Sequence, residues 1–517
     1  MKPGRLFNKF DDWLNPIAVK ELRQAVKSRI VVSALTLFLL IQLSILLLIL
    51  SFSAPPTAEA ARLNAGRSIF YILQGILLGA CMLLVPAYAG VRLAAEHTDT
   101  NVDLLFISTL RPRRIIAGKL QAAVVLILLI FSACAPFMTF TYLLRGIDIP
   151  SIILVLAIDF LTVLLGTQTA IFLGAIPANA TLRRLLGLFG LSVLVVLFSY
   201  AMAGSIALLE MGWGSRVDTV EFWLVVGGAV VALVAVIGLL FTWSVAIISP
   251  PSANRALPVR LYMLGFWLVT GGVAALLAHH FRSPIPLYCW QWVVVTILCV
   301  QFLVAINERE QWGLRVRRMI PRRWWLRGPL FLLYSGSAGG ILFTGLLLAS
   351  TIALPSTALE YWSAFFFTSS FGSMVLDFNR PNTLALALFA LYTFDYCMLA
   401  VWLRNVLLRG QIQASYTWVL ALILWGLGFS LPYLLLFLFQ NEELRAGHID
   451  PWWQISNPFA TIYTCMEEQN TGAFSELCLL FLGGLGSLLL LACAPWMARQ
   501  IRRFRPPEKE CNPPKIP

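Results

Sequence analysis

Twelve stretches of this sequence are long and apolar enough to cross a bilayer, and they decide what the chain can become. They run over 30–52, 68–91, 120–144, 151–176, 186–208, 222–248, 261–278, 288–306, 329–354, 383–403, 416–439 and 475–497. A helix needs roughly 20 apolar residues to span hydrocarbon. Inside it no water satisfies the backbone, so a run of this length must pair its own N–H and C=O groups as a helix. The chain is 59% hydrophobic and only 12% charged, about half the charge of a soluble domain. The predicted fold is all-α and polytopic, with about twelve transmembrane helices. Pro86, Pro136 and Pro432 fall within runs, where neighbouring helices can satisfy the carbonyls a kink frees.

The basic residues test this count. With the N-terminus inside and strict alternation, 31 of the 38 Lys and Arg fall in inside segments. Such a bias orients membrane proteins, with positive loops cytoplasmic. Both termini and the loop 307–328 are therefore expected in the cytoplasm, in a plasma (inner) membrane. The net charge of +13 is explained by orientation, and nucleic acid is not an expected partner. A secretory signal is not expected either, because the first run exceeds an h-region of about 7–15 residues.

Soluble chemistry has little foothold. Seven of the nine cysteines sit inside apolar runs, no CxxC occurs, and the four histidines have no metal-ligand spacing. No metal and no cofactor is expected. Gly118-Lys119 lacks the earlier Gly and following Ser/Thr of a phosphate loop, and nucleophile elbows and paired catalytic carboxylates are absent. An enzyme is not predicted.

The chain divides into residues 1–250 and 251–517, each with six runs, at the Pro-rich linker Ser249–Arg260. Ahead of the first run, Asn15 suits a helix N-cap and Pro16 its first residue. Val19, Leu22 and Val26 make an apolar stripe on that helix, and Lys20 and Arg23 face the head groups. Between the second and third runs lies the polar connection 92–119. Thr98 or Thr100 can cap a short helix there. Glu96, Asp99 and Asp103 fall at i, i+3, i+7 on one face, and Val102, Leu105 and Phe106 on another. Pro112 suits the first turn of the next helix.

This connection resembles the cytoplasmic loop of ATP-binding-cassette (ABC) exporter permeases of the type-two class. The residues carrying the resemblance are Glu96, Thr100, Asp103-Leu104-Leu105, Thr109-Leu110-Arg111-Pro112-Arg113 and Gly118-Lys119. His97-Thr98 and Asn101 depart from that pattern. The 15–29 helix is similar to the elbow helix preceding the first span in that family. The resemblance covers roughly the first half of the chain. It implies a permease subunit that lines a translocation path and pairs with a second permease as a homodimer or heterodimer. A separate cassette ATPase would dock on Glu96, Asp99, Asp103, Leu105 and Phe106, with Val19, Lys20, Leu22, Arg23 and Val26 forming the elbow.

Two acids stand within runs, Asp159 and Asp395. Intramembrane carboxylates are costly and default to a functional role. They support a rival class, an ion-coupled secondary transporter. The blander alternative is a neutral carboxyl bonded to Thr162 near Asp159 or to Tyr392 near Asp395. A membrane enzyme on lipid-linked substrates and a non-transporting scaffold are further alternatives. In the second half, 307–328 is the most basic loop and suits anionic membrane lipid, with Trp324 and Trp325 at the interface. Residues 355–382 and 440–474 read as outside loops with aromatic anchors, and the Gly-rich runs Gly336–Gly340 and Gly483–Gly486 as close helix packing.

Overall fold

The computed structural model describes residues 15–52, 59–96, 111–143, 147–210, 219–250, 252–321, 323–366, 369–408, 411, 413–438, 451–467 and 473–507. The protein is an all-α, polytopic membrane protein, and it contains no strand among the described residues. It divides into two compact units, Met1–Pro250 and Pro251–Pro517.

In the first unit the short helix α1 (Pro16–Lys27) leads through Ser28 into α2 (Arg29–Phe52), followed by α3 (Glu59–Glu96), α4 (Pro112–Leu143), α5 (Ile149–Ala175), α6 (Ala180–Glu210) and α7 (Val220–Ile248). Asn15 caps α1 by accepting from the Ile17 N–H, and Pro16 and Pro112 open their helices. α3 and α5 pack closely because Gly90 and Gly174 meet, and a Cβ on Gly174 would lie 2.6 Å from the Gly90 carbonyl oxygen. Leu93, Ile116, Ile171, Ala175 and Ile248 form one buried cluster. That cluster gathers the ends of α3, α5 and α7 and the start of α4 beside α1.

The second unit runs α8 (Ala256–Phe281), α9 (Ile285–Ala305), α10 (Leu314–Arg318), α11 (Trp324–Leu333), α12 (Ser337–Phe366) and α13 (Ser369–Trp402), which ends in a π-turn at Leu403–Leu407. α14 (Thr417–Leu438), α15 (Pro458–Glu467) and α16 (Ala473–Arg503) follow. Phe504 closes this bundle end by packing edge-on against Trp312, Phe331 and Tyr334.

Eleven helices have the length and hydropathy of a span among the described residues, and the expected twelfth differs. Run 329–354 is not one straight span: α11 and α12 meet at 85°. The cause is Ser335-Gly336, since Gly/Ser pairs permit sharp breaks. Gly336 has φ 157°, and a Cβ there would press on the Trp312 ring at 3.1 Å. The expected outside loop 355–382 also differs. Its backbone is helical over 355–366 and 369–382 as the continuation of α12 and the beginning of α13.

Candidate functional site

At the α1 end of the first unit, a charged latch joins three helices. Lys119 Nζ of α4 donates to Glu21 Oε1 of α1 at 2.9 Å, and Arg92 of α3 pairs with Glu21 Oε2 at 3.6 Å. Arg92 also donates to Gln24 and Tyr88, and its guanidinium lies over the Tyr88 ring. Asn15 Nδ2 donates to the Arg114 carbonyl. Glu21 and Lys119 are about 95% buried, whereas Arg92 is half-buried. The cavity beside them is about 20 Å³, too small for a substrate.

The expected apolar stripe of α1 lies beside its protein-facing side rather than on it. Ala18, Glu21 and Ala25 are buried, while Val19 and Leu22 are half-buried and Val26 is 55% exposed. Small residues let α1 approach α4, where a Cβ on Gly118 would meet Ile17 Cβ at 2.8 Å. The Val26 side is then free for lipid. Lys20 and Arg23 are exposed as expected.

Glu96 is the last residue of α3, and its side chain is not described. Asp99, Asp103, Leu105 and Phe106, with Thr98 and Thr100, lie outside the described residues. The latch lies within the last turn of α3 and the first two turns of α4, the helices between which those residues run.

Asp159 joins a polar cluster drawn from five helices. Gln74 Nε2 of α3 donates to Asp159 Oδ2 at 2.8 Å and to Ser205 Oγ of α6 at 2.6 Å. The Cys134 thiol of α4 donates to Gln42 Oε1 of α2, and Gln42 Nε2 donates at 3.2 Å to the carbonyl of Leu73, which precedes Gln74. All five side chains are buried. Asp159 Oδ1 and Gln74 Oε1 are buried with no donor among the described residues. Thr162 is not the partner: its hydroxyl donates to the Ile158 carbonyl.

Asp395 lies in α13 of the second unit. Neither oxygen has a partner among the described residues, and Oδ1 lies 2.6 Å from where a Cβ on Gly486 would be. Tyr392 and Tyr396 donate instead to the Ile455 and Ser456 carbonyls of the segment before α15. Gly486 therefore packs closely as expected, whereas Gly483 and Gly484 face open space.

A further site was not foreseen. At the α11–α12 break, the fully buried Arg260 donates to the Leu332, Tyr334 and Gly336 carbonyls at 2.6–3.2 Å. Its Nη2 also pairs with Glu308 Oε2 at 2.6 Å, the oxygen that accepts the Gly336 N–H. Burial pushes the Glu308 carboxyl up, opposed by Arg260 and by the Gly336 N–H. Asn254 accepts from Ser335 N and Gln500 from Ala338 N. The backbone groups freed by the break are thus satisfied by protein, which makes it a braced joint. Nearby, Arg404 donates to Thr417 and Asn405 and pairs with Glu310. A signal existed in Ser335-Gly336-Ser337 and in Arg260 and Glu308, charges just at the ends of apolar runs.

No metal-ligating group of three His, Cys, Asp or Glu occurs among the described residues. No family model, curated protein or solved structure matches the chain. What the structure carries by itself is a transporter-like, multi-pass membrane architecture.

Proposed function

We propose that the chain is the permease subunit of an ABC exporter in the plasma (inner) membrane, with both termini cytoplasmic. The single observation that carries the reading is the Glu21–Lys119–Arg92 latch. It ties α1 to the ends of α3 and α4, which flank the connection bearing Glu96, Asp99, Asp103, Leu105 and Phe106. A soluble ATPase pressing on that connection would move α1, α3 and α4 as one body. Buried polar contacts resist independent motion of these helices, because separating them leaves charges in hydrocarbon. ATP would be bound and hydrolysed by the separate subunit, and a second permease, identical or homologous, would complete the pathway. Co-purification with a cassette ATPase tests this, with ATPase retained by the intact chain and lost on replacing Leu105 and Phe106 together by Ala. Retention by both proteins, or by neither, counts against it.

A second reading is favoured by the unpartnered carboxylate oxygens of Asp159 and Asp395. In an ion-coupled secondary transporter these would take up and release a proton or cation. Asp159→Asn and Asp395→Asn would then abolish transport driven by an ion gradient with no ATPase present. Transport that needs ATP and survives both substitutions rules this reading out.

A further inference from the structure

The second unit carries a polar cleft of about 660 Å³ where its spans end. Its walls come from three connections: Ser252 ahead of α8, Arg309 and Gln311 after α9, and Arg404, Asn405 and Gln413 between α13 and α14. α9 stops at Ala305 and α14 starts at Thr417, so the cleft lies just beyond the apolar parts of both helices. That is the level at which phospholipid head groups meet water.

The cleft offers donors and is short of acceptors. Its acid, Glu310, is already held by Arg404 and by Trp496 Nε1 at 3.1 Å. Arg404 is in turn fixed by Thr417 and Asn405. The charge left over is that of Arg309, which is exposed and joins none of the ion pairs among the described residues. Arg255 lies close enough to be repelled by Arg309, and its Nε is buried with no acceptor among the described residues. Asn405 adds a neutral donor. Its Oδ1 accepts from Arg404 Nε at 3.3 Å and Nη2 at 3.2 Å, which fixes the amide orientation. Its Nδ2 is therefore the donor on the other side, buried and unpartnered among the described residues.

We propose that this cleft binds a phosphate ester, with the phosphoryl group held by Arg309 and the Asn405 amide. A guanidinium matches the spacing of phosphate oxygens and is weakly hydrated, so it gives up water readily. A phosphoryl group also has enough lone pairs to use the Gln311 and Gln413 amides and the Ser252 hydroxyl. The volume exceeds what a bare ion fills and lies in the roughly 300–1,000 Å³ range of small-molecule sites. The rest of the space takes the alcohol part of the ester, which is either a lipid head group or a soluble metabolite.

The test uses the full chain purified in a neutral detergent. Tryptophan fluorescence and melting temperature are followed during titration with inorganic phosphate, glycerol 3-phosphate and short-chain phosphatidylglycerol. At least one ester should bind saturably, and Arg309→Glu should weaken it roughly tenfold or more, as loss of a charged hydrogen bond does. Arg309→Lys should retain part of the affinity. Binding of glycerol 3-phosphate assigns the site to a soluble ester; binding of the lipid alone assigns it to a head group. If no probe saturates, or if a folded Arg309→Glu protein binds as tightly as the unmodified one, the proposal is overturned. Should Arg309→Glu fail to fold, Arg309→Gln is read in its place with the same criteria.

Discussion

Lys119 Nζ lies 2.9 Å from Glu21 Oε1, and both side chains are almost wholly removed from solvent. The pair joins a helix before the first span to the beginning of the third span. Breaking a buried pair by removing one partner is strongly destabilising, because the other charge stays buried. Glu21→Gln is expected to destabilise the first unit by about 3–5 kcal/mol. Lys119→Met should cost less, since Arg92 remains 3.6 Å from Glu21. The double variant should recover part of the Glu21→Gln loss. Melting temperatures of the three variants in one detergent check the order, and additive losses would show that the two groups do not interact.

The α11–α12 joint makes a steric prediction. A Cβ on Gly340 would lie 2.8 Å from Ala305 Cβ and 2.6 Å from Arg260 Nη2. Gly340→Ala should therefore destabilise the protein by about 1–3 kcal/mol, the usual cost of overpacking. Gly345, on the same helix, has nothing within 4 Å of its would-be Cβ. Gly345→Ala should be neutral or stabilise by up to about 1 kcal/mol through helix propensity. Thermal melts of the two variants side by side distinguish a tight joint from a general intolerance of this helix.

Glu308 makes a pH prediction. Burial raises its carboxyl above the ordinary value of 4.5, against the pull of Arg260 and the Gly336 N–H. A raised carboxyl holds its proton more tightly in the folded state than in the unfolded one. Its contribution to stability is complete below about pH 4.5 and is lost as pH rises through the raised folded value. Glu308→Gln removes that dependence. The melting temperature of the unmodified protein should gain on that of Glu308→Gln as pH falls from neutral towards 5. A constant difference between them would mean that Glu308 titrates alike in both states.

Much of the fold was legible because hydropathy is a local property. Each span is written in its own run, and the N-cap at Asn15 and the helix start at Pro112 follow from one or two residues. The α11–α12 break was hidden, since 329–354 is apolar throughout and a bend does not change hydropathy. Its braces, Arg260 and Glu308, come from separate connections, and each looked like a topological charge. The protein-facing side of α1 was not named from the sequence, for a related reason. In a membrane, apolar Val26 can face lipid, and the face against protein is chosen by small residues such as Ala18 and Ala25. The partner of Asp159 is Gln74 on another helix, and no local pattern links the two. Thr100, Asp103, Leu104, Leu105, Thr109 and Leu110, which carry much of the family resemblance, lie outside the described residues, as do Asp99 and Phe106.

The most direct test of the exporter reading is the rate of ATP hydrolysis by the partner ATPase reconstituted with this chain. Reversing Glu96 and Asp103 to Lys changes only the last residue of α3 and the connection that follows it. The intact permease should stimulate hydrolysis, and the reversal should remove that stimulation while the melting temperature of the membrane protein stays unchanged. The same two charge reversals made at Glu442 and Glu443 should leave stimulation intact. Stimulation at the unmodified level after reversal of Glu96 and Asp103 would contradict the account.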